Sequence, residues 1–280
     1  VSDLEALLLG IVQGLSEFLP ISSSGHLILV PWLQDYRFLL DHPDFNKTFD
    51  VALHAGTLIA AGVYFRHEIW RYLKAGLAAL RARAITTVDQ RVATGLALGT
   101  IPAVIAGGLG ESFIEDHLGQ PWLIAILLIG FGALLLWADS QPERMQINDL
   151  KVKHLFYIGL AQVLALAPGT SRSGVTITAG RFLGINREDA ARVSFLLLIP
   201  VVFGATVYKA AKVARDGLPH GVVEPMIVGT IAAAASGFIA IAFLLRFVQT
   251  HSYRPFVYYR WAAGVIVLLI IASGLRDATF

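Results

Sequence analysis

The chain contains no cysteine, which excludes disulfides, thiolate metal sites and a cysteine nucleophile. It is also poor in charge. Only 15% of its 280 residues are Asp, Glu, Lys or Arg, and the formal net charge of +2 is too small to argue for nucleic acid or any other charged partner. The opening "VSDLEALLLG" lacks a basic n-region, and no small-residue cleavage site follows it, so it reads as part of the fold and not as a removable leader. What replaces charge is apolar surface: 56% of the residues are hydrophobic and the mean hydropathy is +0.66, which is not a soluble profile.

The apolar residues come in two kinds of run. Six are long enough to cross a bilayer, at about 49–65, 92–109, 121–138, 193–209, 225–245 and 256–275. Four are too short, at 4–19, 26–33, 154–167 and 175–183, and each pair of these is joined by a polar Ser/Gly/Pro turn. A short apolar segment with a break reads as a re-entrant hairpin. The fold class expected is therefore an all-α polytopic membrane protein of the plasma (inner) membrane type.

The two hairpins resemble each other. In "GIVQGLSEFLPISSSG" and "GLAQVLALAPGTSRSG", Gly10, Gln13, Ser22, Ser24 and Gly25 answer Gly159, Gln162, Ser171, Ser173 and Gly174 at one constant offset. "GTIPAVIAGG" (99–108) answers "GTIAAAASGF" (229–238), and Pro121 and Gly130 answer Pro255 and Gly264. We read an internal duplication: residues 1–138 and 154–275 are each one re-entrant hairpin plus three transmembrane helices, joined by a cytoplasmic connector at 139–153. Three spans per half is an odd number, so the second repeat is inverted, and the two broken tips approach the midplane from opposite faces.

Basic loop residues set the orientation. One side collects Arg66, Arg71, Lys74, Arg81, Arg83, Arg91, Arg144, Lys151, Lys153, Arg187, Arg192, Arg246 and Arg254. The other has Arg37, Lys47, Lys209, Lys212, Arg215 and Arg276, with an acidic loop at Glu111, Glu115 and Asp116. By the positive-inside rule both termini are outside and the first hairpin opens to the outer face.

A backbone broken inside a membrane is tolerated only where protein or a water-filled cavity surrounds it, so the two turns should meet. One brings Glu17, Ser22, Ser23, Ser24 and His26; the other, "PGTSRSGVT", brings Ser171, Arg172, Ser173 and Thr176. Gly25, Gly169 and Gly174 allow close approach of main-chain N–H groups, and the helices that follow present their N-termini. Hydroxyls, amides, helix ends and a guanidinium make an oxyanion cradle suited to phosphate. Glu17 beside such a site suggests a divalent cation, Mg2+ or Ca2+, with Gln13 one helical turn away adding a neutral oxygen. For phosphoryl transfer, a serine can attack with His26 as base, or His26 can attack directly. Arg172 and the cation would hold the charge that builds.

Blander readings stand beside these. Serine and glycine in membrane helices often serve packing and turn capping. Asp50 and His54, inside a span, could line the same cavity but read rather as helix-packing residues, and Arg246 and Arg260 read as residues snorkelling from span ends. The stretch 66–91, with Trp70 and Tyr72, reads as an interfacial segment touching anionic lipid.

"QGLSEFLPISSSGH" and "PGTSRSGVT" resemble the two signature motifs of the undecaprenyl-diphosphate phosphatase family of bacteria, also called the bacitracin-resistance protein family. "KTFDVALHAGTLIA", the length and the ten-segment pattern agree. The resemblance implies hydrolysis of the C55 isoprenyl diphosphate to the monophosphate carrier lipid of peptidoglycan synthesis, with release of orthophosphate and dependence on a divalent cation. It places the family's essential histidine on His26, its serines on Ser22 and Ser23 and its arginine on Arg172. Its first motif pairs Glu or Gln with Glu four residues on; here the pair is Gln13 and Glu17, one carboxylate and not two. Partners expected are a polyprenyl diphosphate lipid and the membrane, with a homodimer allowed. The competing reading is a transporter or flippase of a phosphate-bearing lipid or anion, since inverted repeats with broken helices are also a transporter plan. Against it stands an asymmetry: Glu17 and His26 correspond to Leu166 and Val175 in the second hairpin.

Overall fold

The computed structural model describes residues 1–219 and 221–279, with the side chains of 111–116 and 216 outside the described set. The acidic stretch Glu111, Glu115 and Asp116 falls among those side chains; its backbone is the end of a helix and not a loop. Among the described residues the chain is helical, apart from one isolated bridge between Met145 and Ile185.

The first hairpin is α1 (Asp3–Phe18) and α2 (Ser23–Gln34), followed by a short α3 (Arg37–Asp41) that the apolar pattern does not announce. Ser2 and Glu5 form a capping box that starts α1. The helix stops two residues before Pro20, where the residue preceding proline is disfavoured from helical geometry. Next come α4 (Pro43–Tyr64), α5 (Arg66–Ala82), α6 (Val88–His117) and α7 (Pro121–Asp139). The second hairpin is α8 (Val152–Ala161), extended by a 3-10 turn over Gln162–Leu166, and α9 (Arg172–Phe182). The chain ends with α10 (Arg187–Asp216), α11 (Val223–Phe247) and α12 (Arg254–Ala272).

Five of these helices, α6, α7, α10, α11 and α12, are long and apolar enough to cross a membrane, and a sixth span is reached if α4 and α5 count as one. The sequence placed a full span at 49–65. The helix there begins earlier, at Pro43, and the chain turns by 81° into α5. Helix α5 is amphipathic: Trp70, Leu73, Leu77 and Leu80 are exposed, and Lys74 sits 4.9 Å above the Trp70 ring.

Small residues bring helices together across the two halves of the chain. Gly10 of α1 lies against the Gly229 carbonyl of α11, and Gly159 of α8 against that of Gly99 in α6. At Gly14 a Cβ would fall 2.5 Å from the Ala233 carbonyl oxygen, so only glycine fits that crossing. On α4, Phe45, Phe49, Leu53, Gly56 and Ala60 recur at helical spacing and form its buried face. Phe18, Phe65 and Phe195 form an aromatic core, with Phe18 edge-on to Phe195 at 5.2 Å. The residue after Glu17 is thereby anchored.

The segment 139–153 is pinned rather than free. Arg144 and Met145 donate backbone N–H bonds to the Gly184 carbonyl, and Asn186 returns one to Met145. Asp139 accepts from Arg187 Nε at 2.6 Å and from the Tyr253 backbone at 3.0 Å. Burial pushes the pKa of the Tyr253 phenol up, so it stays a donor, to the Arg187 carbonyl.

Candidate active site

The two polar turns adopt one conformation. Ser22 precedes α2 with φ 79° and ψ 91°; Ser171 precedes α9 with φ 73° and ψ 112°. Each serine Oγ accepts from the amide of the glycine three residues on, Gly25 or Gly174. A non-glycine residue at such a φ is strained by about 1–3 kcal/mol and persists only where the surroundings over-determine it. Here they do. Ser22 Oγ also accepts from the Gly169 amide of the other turn at 3.1 Å, and Ser173 Oγ donates to the Leu19 carbonyl at 3.1 Å.

Around this contact five side chains converge. Glu17, buried at the end of α1, accepts on Oε2 from Ser23 Oγ at 2.5 Å and from Gln13 Nε2 at 3.0 Å. Its Oε1 accepts from Arg172 at 2.9 Å. His54 of α4 donates through Nδ1 to the Asp50 carbonyl and brings Nε2 to 3.4 Å from Glu17 Oε2. Arg172 donates also to the Ser194 carbonyl of α10, and its Nε has no partner. A short hydroxyl–carboxylate bond with a guanidinium on the second oxygen is the arrangement of a serine beside its base.

The remaining expected site residues are placed as follows. Ser171 and Ser173 lie within 3.3 Å of each other, and Thr176 bonds the Arg172 carbonyl and Ser194 Oγ. Ser22, Gly25, Ser171, Ser173, Gly174 and Thr176 are all buried, whereas the partly buried Ser24 hydroxyl makes no hydrogen bond among the described residues. His26 stands apart from the Glu17 cluster. Its Nδ1 donates to the Ser22 carbonyl at 2.7 Å, its Nε2 meets Tyr259 Oη at 2.7 Å, and the two rings stack.

For a divalent cation, Glu17 is the one carboxylate, and Gln13 Oε1 is buried beside it without a partner. An orphaned amide oxygen next to a carboxylate is a donor set that a hard cation accepts. Among the described residues no group of three or more His, Asp or Glu side chains gathers around a common point, so these two would need further oxygens from a ligand.

The chain matches the family described as bacitracin resistance protein BacA over residues 6–266. An undecaprenyl-diphosphatase of Geobacter sulfurreducens is 48% identical over 267 residues, covering 95% of this chain and 97% of that protein. Similar proteins with the same description occur in Geobacter metallireducens, 45% identical over 273 residues (97% and 99% covered), and in Rubrobacter xylanophilus, 40% over 270 (96% and 98%). The chain belongs to the BacA family.

Two residues that the structure brings to the turns carry partners that the sequence reading does not name. His54 was assigned to helix packing, yet it faces Glu17; its spacing of four from Asp50 points to its backbone anchor but not to its partner on α1. Arg260 was expected to snorkel from a span end. Instead it is fully buried and donates to five carbonyls, of Pro20, Leu127, Leu128, Gly169 and Thr170. The physical reason is that both broken turns leave carbonyls inside the protein, those of Pro20, Gly169 and Thr170, and one guanidinium satisfies them at once while also reaching α7. The only signal for it is an arginine four residues inside the apolar run 256–275.

Proposed function

We propose that the chain hydrolyses undecaprenyl diphosphate to undecaprenyl phosphate and orthophosphate at the cluster of Glu17, Ser23 and Arg172. Relatives described as undecaprenyl-diphosphatase align with nearly the whole chain. The observation that carries the chemistry is the 2.5 Å bond from Ser23 Oγ to Glu17 Oε2, with Arg172 on the other oxygen.

In the first step Ser23 Oγ attacks the terminal phosphorus as Glu17 takes its proton. The bond from that phosphorus to the bridging oxygen breaks, and the proton on Glu17 passes to the departing lipid phosphate. Water then attacks the phosphoserine, giving a proton to Glu17. The Oγ–phosphorus bond breaks, orthophosphate leaves, and Glu17 returns the proton to Ser23. Arg172, with Nε unpartnered, faces the charge that builds on the phosphoryl oxygens. Gln13 and Glu17 would hold a divalent cation, Mg2+ or Ca2+, which neutralises phosphate charge when bound.

The cradle for the phosphates is assigned to Ser22, Ser24 and Gly25 on one turn and Ser171, Ser173, Gly174 and Thr176 on the other. Ser24 is the one with a hydroxyl to spare. His26, tied to Tyr259 at the mouth of α2, is assigned to binding or proton transfer at the diphosphate rather than to attack, because both ring nitrogens already have partners. Arg260 adds a buried positive charge with no carboxylate among its partners, which favours an anionic ligand.

The scaffold is assigned as an inverted repeat, residues 1–138 and 154–275, with each hairpin re-entrant. Support comes from the matched serine caps and from the Gly10–Gly229 and Gly159–Gly99 crossings. The loop charges favour the bacterial inner membrane with both termini outside and the site opening outward. A polyprenyl tail then stays in hydrocarbon while only the diphosphate reaches the two turns.

The test is orthophosphate release from a long-chain polyprenyl diphosphate by the purified protein in detergent, with Mg2+ or Ca2+. Release that disappears in Ser23→Ala and Glu17→Gln is expected. A terminally radiolabelled substrate, quenched in acid, should leave acid-stable label on serine; acid-labile label would transfer the attack to His26. No release from folded wild type across cations and chain lengths overturns the hydrolase and makes lipid translocation the function to test.

A further inference from the structure

A cleft of about 800 Å³ lies away from the turns, between the end of α7, the 140–143 segment and the start of α12. None of the Glu17 cluster lines it. One wall is apolar, formed by Leu136, Trp137 and Tyr258, and the two rings are more than half exposed. The floor is cationic, formed by Arg181, Arg187 and Arg254.

The charges there do not balance. Asp139 and Glu143 are shared between Arg181 and Arg187, at 2.6–3.9 Å. Arg254 makes no ion pair or hydrogen bond with a side chain among the described residues, so the cleft keeps one uncompensated positive charge at its mouth. Arg181, fully buried, also lines the cleft; its Nε has no hydrogen-bond partner, the nearest carboxylate oxygen being Asp139 Oδ1 at 3.9 Å. A buried guanidinium N–H held that loosely is under-satisfied, and it adds to the positive character of the cleft's lining.

Position supplies the rest. The candidate span of α7 ends at Asp139 and that of α12 begins at Arg254, so the cleft sits where two spans meet the aqueous edge. Tryptophan and tyrosine favour that level of a bilayer. A ligand matching both walls has a phosphate for the guanidiniums and a hydrocarbon chain for the rings. We propose that this cleft binds the phosphate head group of a membrane lipid, its chain lying along Trp137 and Tyr258. The single excess positive charge matches a phosphodiester, and a free phosphate would leave the apolar wall unused.

The test uses the full chain in phosphatidylcholine nanodiscs containing increasing fractions of brominated phosphatidylglycerol. Quenching of Trp137 is read as wild type minus Trp137→Phe. Arg254→Gln should raise the fraction needed for half-quenching about fivefold, in line with about 1 kcal/mol per basic residue facing anionic lipid. Quenching by brominated phosphatidylcholine, and orthophosphate release from the polyprenyl diphosphate, should be the same in both proteins. Equal quenching by phosphatidylglycerol with and without Arg254 overturns the proposal. An Arg254-dependent change of Trp137 fluorescence on adding inorganic phosphate to phosphatidylcholine discs overturns the lipid and leaves a free-phosphate site.

Discussion

The turn after α1 and the turn before α9 share a backbone but not a chemistry. Both place a serine in the left-handed region and both cap it on a glycine amide. Yet the carboxylate that precedes the first turn is Leu166 in the second, Ser23 is replaced by Arg172, and His26 by Val175. The acid and the hydroxyl come from one turn, the guanidinium from the other, and neither turn holds a complete site. Matched backbones make the meeting possible; mismatched side chains give it the chemistry proposed for it.

The sharpest way to break this comparison is to remove chemistry from the first turn alone. Ser23→Ala should lower kcat for orthophosphate release by at least about a thousandfold, because among the described residues no other hydroxyl bonds Glu17. Glu17→Gln keeps the shape but loses the base, and a fall of about 10²–10⁴-fold is expected in the same assay. Either variant within threefold of wild type would remove the serine–carboxylate pair from the mechanism.

A smaller effect tests what joins the turns. Arg260→Met leaves the Pro20, Gly169 and Thr170 carbonyls of the two turns without this donor, and thermal unfolding in detergent should reveal a loss of about 3 kcal/mol. Arg260→Lys, with three donors on a point charge, should recover only part of it. An Arg260→Met protein as stable as wild type would mean that the turns hold each other without it.

The smallest effect is the most discriminating. Gln13 donates to Glu17, whereas the matching Gln162 is buried with neither amide atom partnered. Gln162→Leu should leave release unchanged and be neutral or stabilising by about 1 kcal/mol. Gln13→Leu should shift the cation concentration needed for half-maximal release by about tenfold. Equal effects of the two substitutions would erase the distinction between the turns.

How much of this was legible follows from the kind of signal each residue sends. Recurrence marks the turns: Ser22 and Ser171, and Gly10 and Gly159, can be aligned by eye. Charge in an apolar setting marks Glu17 and Arg172, because an ionisable residue there is costly without a partner. His54 and Arg260 failed the same test for opposite reasons. The histidine sits in a run where a packing role is ordinary, and its partner lies on another helix. The arginine sits close enough to a span end for snorkelling to suffice, and its ligands are main-chain carbonyls, which no pattern of side chains announces. The 81° break between α4 and α5 falls at Phe65, where the sequence passes from an apolar run to the amphipathic stretch that begins at residue 66.

Arg260 carries its charge with carbonyls alone, and this makes the folded protein electrostatically unfinished until an anion arrives. Occupancy should therefore register far from the chemistry, as heat resistance. A non-hydrolysable diphosphate present at about a hundred times its dissociation constant adds about 2.7 kcal/mol to the native state by mass action alone. In a bilayer where the lipid substrate is scarce, the stability of this protein becomes a gauge of how much carrier is waiting to be recycled.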